Sequence, residues 1–476
     1  MRASTVDLNS EGDTSLTLND ESLVRLNAGT TAGFSTTFKG VGASGVGVTI
    51  ELNNGSGVFT NGVGTGLASG YYGIHFYSDI MDNLTEASSI TLNGGSQVVV
   101  HGSADNADGV RLAGITSLNN LYAEKYAADI QLNGGSFVKV YADGANTKSA
   151  IGIRSQGLLT NVTLNEESYV YATSVGGGAS VTVAGIATTG TGYSRELAGT
   201  ITLNAGTRVT AYMGAGTTHG STVFGIRSDS FGEYYYSAAV VLNSSVVSAD
   251  MASQGYFYPS RLAVGVDLYG PGNLLTLNGT AEIQSAIDIG NPYKAFGARL
   301  RGDNGVVTLN DTSSIRAGRS NYLALGISVR GDGNQVELNG ASEITVGDIE
   351  ETYFATGIYI EGDRNTITLN GTSSVRTYQY KASNYNQEGA VHLRGGTGQS
   401  LLNGHSSINA YSGYGIIIYG GENNVVTIGA DASVSGRDGA IEDVSIGAII
   451  TVSGTVSTEE GPTVDLTGSI NSTLIL

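Results

Sequence analysis

One block, apolar-x-Leu-Asn, is written eleven times along the chain and constrains the fold more than any other feature. It reads IELN (50–53), ITLN (90–93), IQLN (130–133), VTLN (162–165), ITLN (201–204) and VVLN (240–243). It continues as LTLN (275–278), VTLN (307–310), VELN (336–339), ITLN (367–370) and SLLN (400–403), then decays to VTIG (426–429). A second block, Gly-apolar-x-apolar, precedes each copy: GIHF at 73, GVRL at 109, GIRS at 152 and 225, GVDL at 265, GIYI at 357. A third, small-x-Ser/Thr-x-Val/Ile-x-apolar, follows the Asn, as in GGSFVKV and AGTRVTA.

Each unit therefore holds three short segments alternating with period two and separated by turn residues, the signature of strands. From Gly265 to Gly357 the step from the Gly block to the Leu is a constant 12 residues, whereas the spacing from one Leu to the next (Ile428 in the last, decayed copy) ranges from 26 to 40. Most of that variation falls between the third block and the next Gly. One corner of each coil is thus expected to take insertions and the other two to be fixed. This grammar predicts an all-β fold: a right-handed parallel β-helix, a three-stranded solenoid of about a dozen or more coils. The whole chain, 1–476, reads as one such domain, with 1–49 as irregular first coils or a cap, 50–436 as regular coils and 437–476 as terminal coils of a longer protein.

Composition agrees: 71 Gly, 4 Pro, no Cys and 14% charged residues suit short strands and turns and give no helical periodicity. A net charge of −19 argues against nucleic acid as a partner. No apolar run reaches the roughly 20 residues that span a bilayer, and the first residues carry no apolar core of a signal peptide. The five His lack metal-ligand spacing, so no metal or cofactor is expected.

The Asn of the first block is expected to form a column at a left-handed corner: Asn93, Asn133, Asn165, Asn204, Asn243, Asn278, Asn310, Asn339, Asn370 and Asn403. The position x of the Gly block points outward by strand parity and carries Arg111, Arg154, Arg227, Asp267, Arg299 and His392, with Arg301, Arg330 and Arg394 two residues on. A column of guanidinium groups suits sulfated or carboxylated polysaccharide, and it also suits pairing with neighbouring carboxylates. The turns RGDNG (301–305), RGDGN (330–334) and EGDRN (361–365) stack Asp303, Asp332 and Asp363; turn chemistry explains them, while catalysis or Ca²⁺ binding are the alternatives. Eight residues after the ladder Asn come His101, Tyr141, Tyr212, Tyr378 and Tyr411, an aromatic platform for sugars or a protein. Tyr-rich insertions at 232–238 and 253–260 could extend it.

Gly-rich, Cys-free β-solenoids with recurrent TLN-G-x-S-x-V units resemble the passenger domains of bacterial autotransporters, in particular enterobacterial adhesins of the diffuse-adherence and aggregation type. The resemblance covers essentially the whole chain. It implies a passenger on the cell surface, exported through an outer-membrane barrel that these residues do not include, without catalytic residues. The expected partners are host glycosaminoglycans or other acidic glycans, a matrix protein such as fibronectin, or a second copy of the chain in aggregation or biofilm. A polysaccharide-degrading β-helix enzyme is the rival from another class.

Overall fold

The computed structural model describes the chain apart from residues 1, 11–12, 31–36, 46, 65–69, 79–87, 105–108, 120–127, 145–146, 157–159, 176–179, 191–198, 215–219, 231–236, 253–260, 288–291, 348–351, 353 and 379–388. The Tyr-rich insertions, apart from Ser237 and Ala238, lie outside the described residues. Among the described residues there is no helix. The strands form three parallel sheets of 15, 15 and 14 strands, each taking every third strand of the chain in order. The protein is a three-sheet parallel β-helix. The Gly block supplies the first sheet, the Leu-Asn block the second, and the Ser/Thr-containing block the third.

The chain divides into an N-terminal unit, Met1–Val240 with Ser245–Ala263, and a C-terminal unit, Val241–Ser244 with Val264–Leu476. In each, repeated apolar positions pair in register from coil to coil. Ile90 and Leu92 lie beside Ile130 and Leu132 in the first unit. In the second, Leu277, Leu309, Leu338 and Leu369 form one column. All of these are fully buried. Parallel strands buried on one face by their own repeats need no other covering layer, which is why one grammar suffices for every coil.

Three expectations require correction. Residues 1–49 are not an irregular cap. Arg2–Ser10, Thr14–Leu18 and Leu23–Thr30 make a complete coil paired in register with the next. The closely spaced DLN, TLN and RLN segments fall one in each sheet, so only Asn19 enters the asparagine column. Second, insertions occupy two corners in the N-terminal unit. Its first-sheet strand Gly70–Ser78 is followed by Ser89–Leu92, and Val110–Asn119 by Asp129–Leu132, as well as the expected gap before each first-sheet strand. In the C-terminal unit that second corner is a tight turn, as between Lys294–Arg301 and Val306–Leu309.

Third, the ladder asparagines are not the left-handed residues. In nine of the ten copies the next residue is: Gly94, Gly134, Glu166, Ser244, Gly279, Asp311, Gly340, Gly371 and Gly404 have φ between 47° and 70°, while after Asn204 it is the second residue on, Gly206, at 79°. The Asn side chains run along the stack instead. Each Nδ2 donates to the Oδ1 of the preceding coil: Asn53 to Asn19, then Asn93, Asn133, Asn165 and Asn204 in turn, at 2.5–3.0 Å. In the C-terminal unit Asn278 donates to Asn243, followed by Asn310, Asn339, Asn370 and Asn403, at 2.8–3.0 Å. The third block closes the same turn: Ser96 returns both its N–H and its hydroxyl to the carbonyl of Asn93.

An amide that both donates and accepts is therefore required at each level. Asn310→Ala removes two side-chain hydrogen bonds, to Asn278 and from Asn339, and should destabilise the C-terminal unit by about 1–2 kcal/mol, read as a lower urea midpoint.

Candidate functional site

Strand parity makes the x positions of the Gly block outward, but the first sheet bends at the glycine and its outer side chains lie against one another. In the C-terminal unit Asp267 is 1% exposed and accepts a bidentate fork from Arg299 at 2.8 and 2.7 Å, with Arg301 Nη2 at 3.2 Å. Arg299 also covers the Phe296 ring and Arg301 the Tyr269 ring. Further along, Arg330 and Arg394 share Glu361 at 3.3 and 3.9 Å, and Arg394 donates to the Tyr359 hydroxyl. That hydroxyl bond raises the Arg394 pKa above its ordinary value.

Asp267 and His392, expected to meet a ligand, are buried. His392 is 4% exposed, edge-on between the Tyr359 and Tyr419 rings. Burial, then the charge of Arg394, pushes its pKa down to about 4, so it is neutral over the physiological range.

The N-terminal unit brings Arg154 and Arg227 into one column with His75, Thr116 and Ala187. Arg227 is held by Asp229 at 2.7 Å. Arg111 leaves the column: it aligns with Ser149 and Gly70, while Thr116 takes the place beside His75. Gly114 begins GITS, which matches the GIRS form of the block, and a Cβ there would overlap Val138, so Gly114 takes the place at the bend.

The Asp residues of the Arg-Gly-Asp turns and of the turn after them are tied into the stack. Asp303 Oδ1 accepts from the N–H of Asp332, Asp332 from Asp363, and Asp363 from Gly396, at 2.8–2.9 Å. A second, buried asparagine column that the sequence reading missed runs beside them. Asn334, Asn365 and Asn424 accept from the backbone N–H of Gly305, Asn334 and Gly398. Its signal was an Asn five residues before the ladder Asn, as in Asn334 and Asn365.

The outer face of the third sheet in the N-terminal unit is different. Val138 and Val140, Val170 and Ala172, and Val209 and Ala211 point inward and are fully buried. Alternation therefore turns their neighbours out: Phe137, Lys139 and Tyr141 beside Tyr169, Tyr171 and Thr173, and these beside Arg208, Thr210 and Tyr212. Phe137 and Tyr169 stack at 5.0 Å with planes 11° apart. The Lys139 ammonium lies 4.5 Å from the Phe137 ring centre and 5.1 Å from that of Tyr169. Burial acts to lower the Lys139 pKa, yet its hydrogen bond to Tyr169 and the nearby Tyr141 and Tyr171 outweigh this and hold it above the ordinary value.

Tyr141 meets Tyr171 at 5.9 Å and His101 at 6.4 Å, so His101 and Tyr141 of the expected platform are adjacent; His101 is tied to Asp143. Tyr212 joins their column through Thr173. In the C-terminal unit Tyr378 and Tyr411 stand 6.3 Å apart. Around Lys139, Tyr169, Tyr171, Arg208 and Thr210 the surface opens into a groove of about 750 Å³. Phe137, Tyr169 and Tyr171 escaped sequence reading because they lie between the positions that define the repeat.

The geometry defines a parallel β-helix with a cation-and-ring groove on one outer sheet. No family model matches the sequence, no curated protein matches it, and no solved structure matches it.

Proposed function

We propose that the chain is a non-enzymatic adhesin of the bacterial cell surface, of the autotransporter-passenger kind. It binds host polyanions of the glycosaminoglycan class through the outer third-sheet face of the N-terminal unit. The observation that carries this reading is the groove in which Lys139 and Arg208 stand among Tyr141, Tyr169 and Tyr171. Rings supply flat apolar surface for sugars, and the two cations supply charge-assisted hydrogen bonds to acidic groups.

The carboxylate partners of Arg299, Arg301, Arg330 and Arg394 support a structural role for that face. The hydrogen bonds of Asp303, Asp332 and Asp363 to the next turn favour a structural over a hydrolytic role for that column. A second reading, contact with a matrix protein such as fibronectin or with another copy of the chain, is favoured by the second sheet. There Thr91, Gln131, Thr163 and Thr202 line one outward column beside the asparagine ladder.

Immobilised hyaluronan and heparin test the main reading. The wild-type chain should be retained, less so as salt rises, because exposed charges are screened. Lys139→Ala with Arg208→Ala should weaken binding by about tenfold or more, the equivalent of at least one charge-assisted contact. Arg330→Ala should leave binding unchanged. Full retention of the double variant would place the site elsewhere, and no retention of the wild type on either polymer would end the reading.

A further inference from the structure

The groove has a step across it. Tyr169 and Tyr171 stand in one coil; in the next, Arg208 lies beside Tyr169 and the short Thr210 beside Tyr171, and the short Val246 and Ser248 follow in the coil beyond. Phe137 covers one face of the Tyr169 ring. The other face turns toward the coil of Arg208. The Tyr169 and Tyr171 rings thus form a wall beside the short Thr210, Val246 and Ser248.

Two charged groups at the step are unengaged. Arg208 is exposed and, among the described residues, its side chain has no hydrogen-bond, ion-pair or ring partner. The contrast lies within the same chain: Arg227, Arg299, Arg301, Arg330, Arg376 and Arg394 each have a carboxylate within 4 Å. Glu167, also exposed and without a side-chain partner among the described residues, lines the same groove. Its backbone is left-handed, φ 61°, and its side chain passes over Gly206, where a Cβ would lie 3.3 Å from its Cγ.

We infer that this step is the seat of a single sugar ring bearing a carboxylate and free hydroxyls, a hexuronic acid residue, and that it discriminates against dense sulfation. The inference rests on the glycan-binding reading above. A planar guanidinium fork matches a carboxylate bidentately. A carboxylate side chain accepts hydroxyl donors, so Glu167 suits a sugar diol and repels a sulfate placed there. With Lys139 and Arg208 against Glu167, the seat carries one surplus positive charge, enough for one acidic group per ring.

Calorimetry on the full chain with three octasaccharides tests this: hyaluronan, the same compound with its carboxyls reduced to alcohols, and heparin. Hyaluronan should bind, and carboxyl reduction should weaken it at least tenfold. Arg208→Ala should cause a similar loss, with Arg208→Lys retaining part of the affinity. Glu167→Gln should weaken hyaluronan while strengthening heparin several-fold. Both are exposed positions, and unchanged thermal unfolding shows that the variants remain folded. Equal binding of the reduced octasaccharide, or no change in the hyaluronan-to-heparin ratio in Glu167→Gln, overturns the inference. If heparin alone binds, the inference falls and the adhesin reading stands; if none of the three binds, both fall.

Discussion

Gly326→Val should cost the C-terminal unit about 3 kcal/mol or more and lower its urea midpoint accordingly. A Cβ at this position would overlap the Ile344 side chain, lie 2.5 Å from the Gly357 carbonyl oxygen and 2.9 Å from a Val346 methyl. Ile344, Val346 and the first-sheet backbone are all fixed by their own columns, so none can withdraw without displacing its neighbours. The glycine is there because the first sheet bends at this point and brings its backbone against the third. Ala390 and Ala440 occupy the corresponding place in later coils, but at Gly326 the clashing atom is the Cβ itself, so Gly326→Ala should already be destabilising and Gly326→Val more so by its two added methyls. Equal losses for the two variants would mean that volume at this bend is not what the repeat protects.

The second large effect is a pH dependence opposite to that of most carboxylates. Glu442 lies beside Asp465 in register, is 8% exposed, and its Oε2 has no hydrogen-bond partner. Burial, then the charge of Asp465, pushes its pKa up to about 7 from 4.5. Asp465 is itself held low by the Thr467 hydroxyl and N–H, and the Tyr414 hydroxyl donates to it from 3.4 Å.

The unfolded chain releases the Glu442 proton near its ordinary pKa, whereas the folded chain keeps it to about pH 7. The stabilisation is thus complete below about pH 4.5 and is lost as pH rises through 7. A shift of this size corresponds to at most about 3 kcal/mol. Urea unfolding of wild type and Glu442→Gln between pH 4.5 and 8 isolates it: the glutamine variant should gain on the wild type as pH rises. Amide exchange at Ala440 and Ile441, which donate to the Thr463 carbonyl, should report the same loosening locally. A pH-independent difference between the two proteins would refute the assignment.

How much of this was legible in the chain depends on where a residue sits in the coil. Leu277, Leu309, Leu338 and Leu369 could be placed from sequence, because an inward position has one environment and repeats it. The asparagine column was legible for the same reason, although the conformational role belonged to its successor, as at Gly94 and Asp311. Outward positions were harder. Parity turns Asp267 and His392 outward correctly, yet the bend packs Arg299 and Tyr359 over them, and no single-strand pattern contains that crossing. Arg111 was displaced because GVRL at Gly109 and GITS at Gly114 are both forms of the block, and Gly114 takes the place at the bend. The groove depended on differences between coils, such as Tyr171 against Thr210, at positions that the repeat leaves free to vary.

The amide columns have a bearing on how such a surface diversifies. Alignment from one coil to the next is held by Asn-to-Asn bonds and by stacked leucines, and none of these involves the segments at the insertion corners. Doubling such a segment adds only about 0.6 kcal/mol of closure entropy. The stretch between Thr377 and Gly389, for instance, can be rewritten in length and chemistry while Asn370 still meets Asn339. Insertions and architecture can therefore mutate on separate clocks, and a foreign epitope grafted at that corner would be carried as cargo by an unchanged frame.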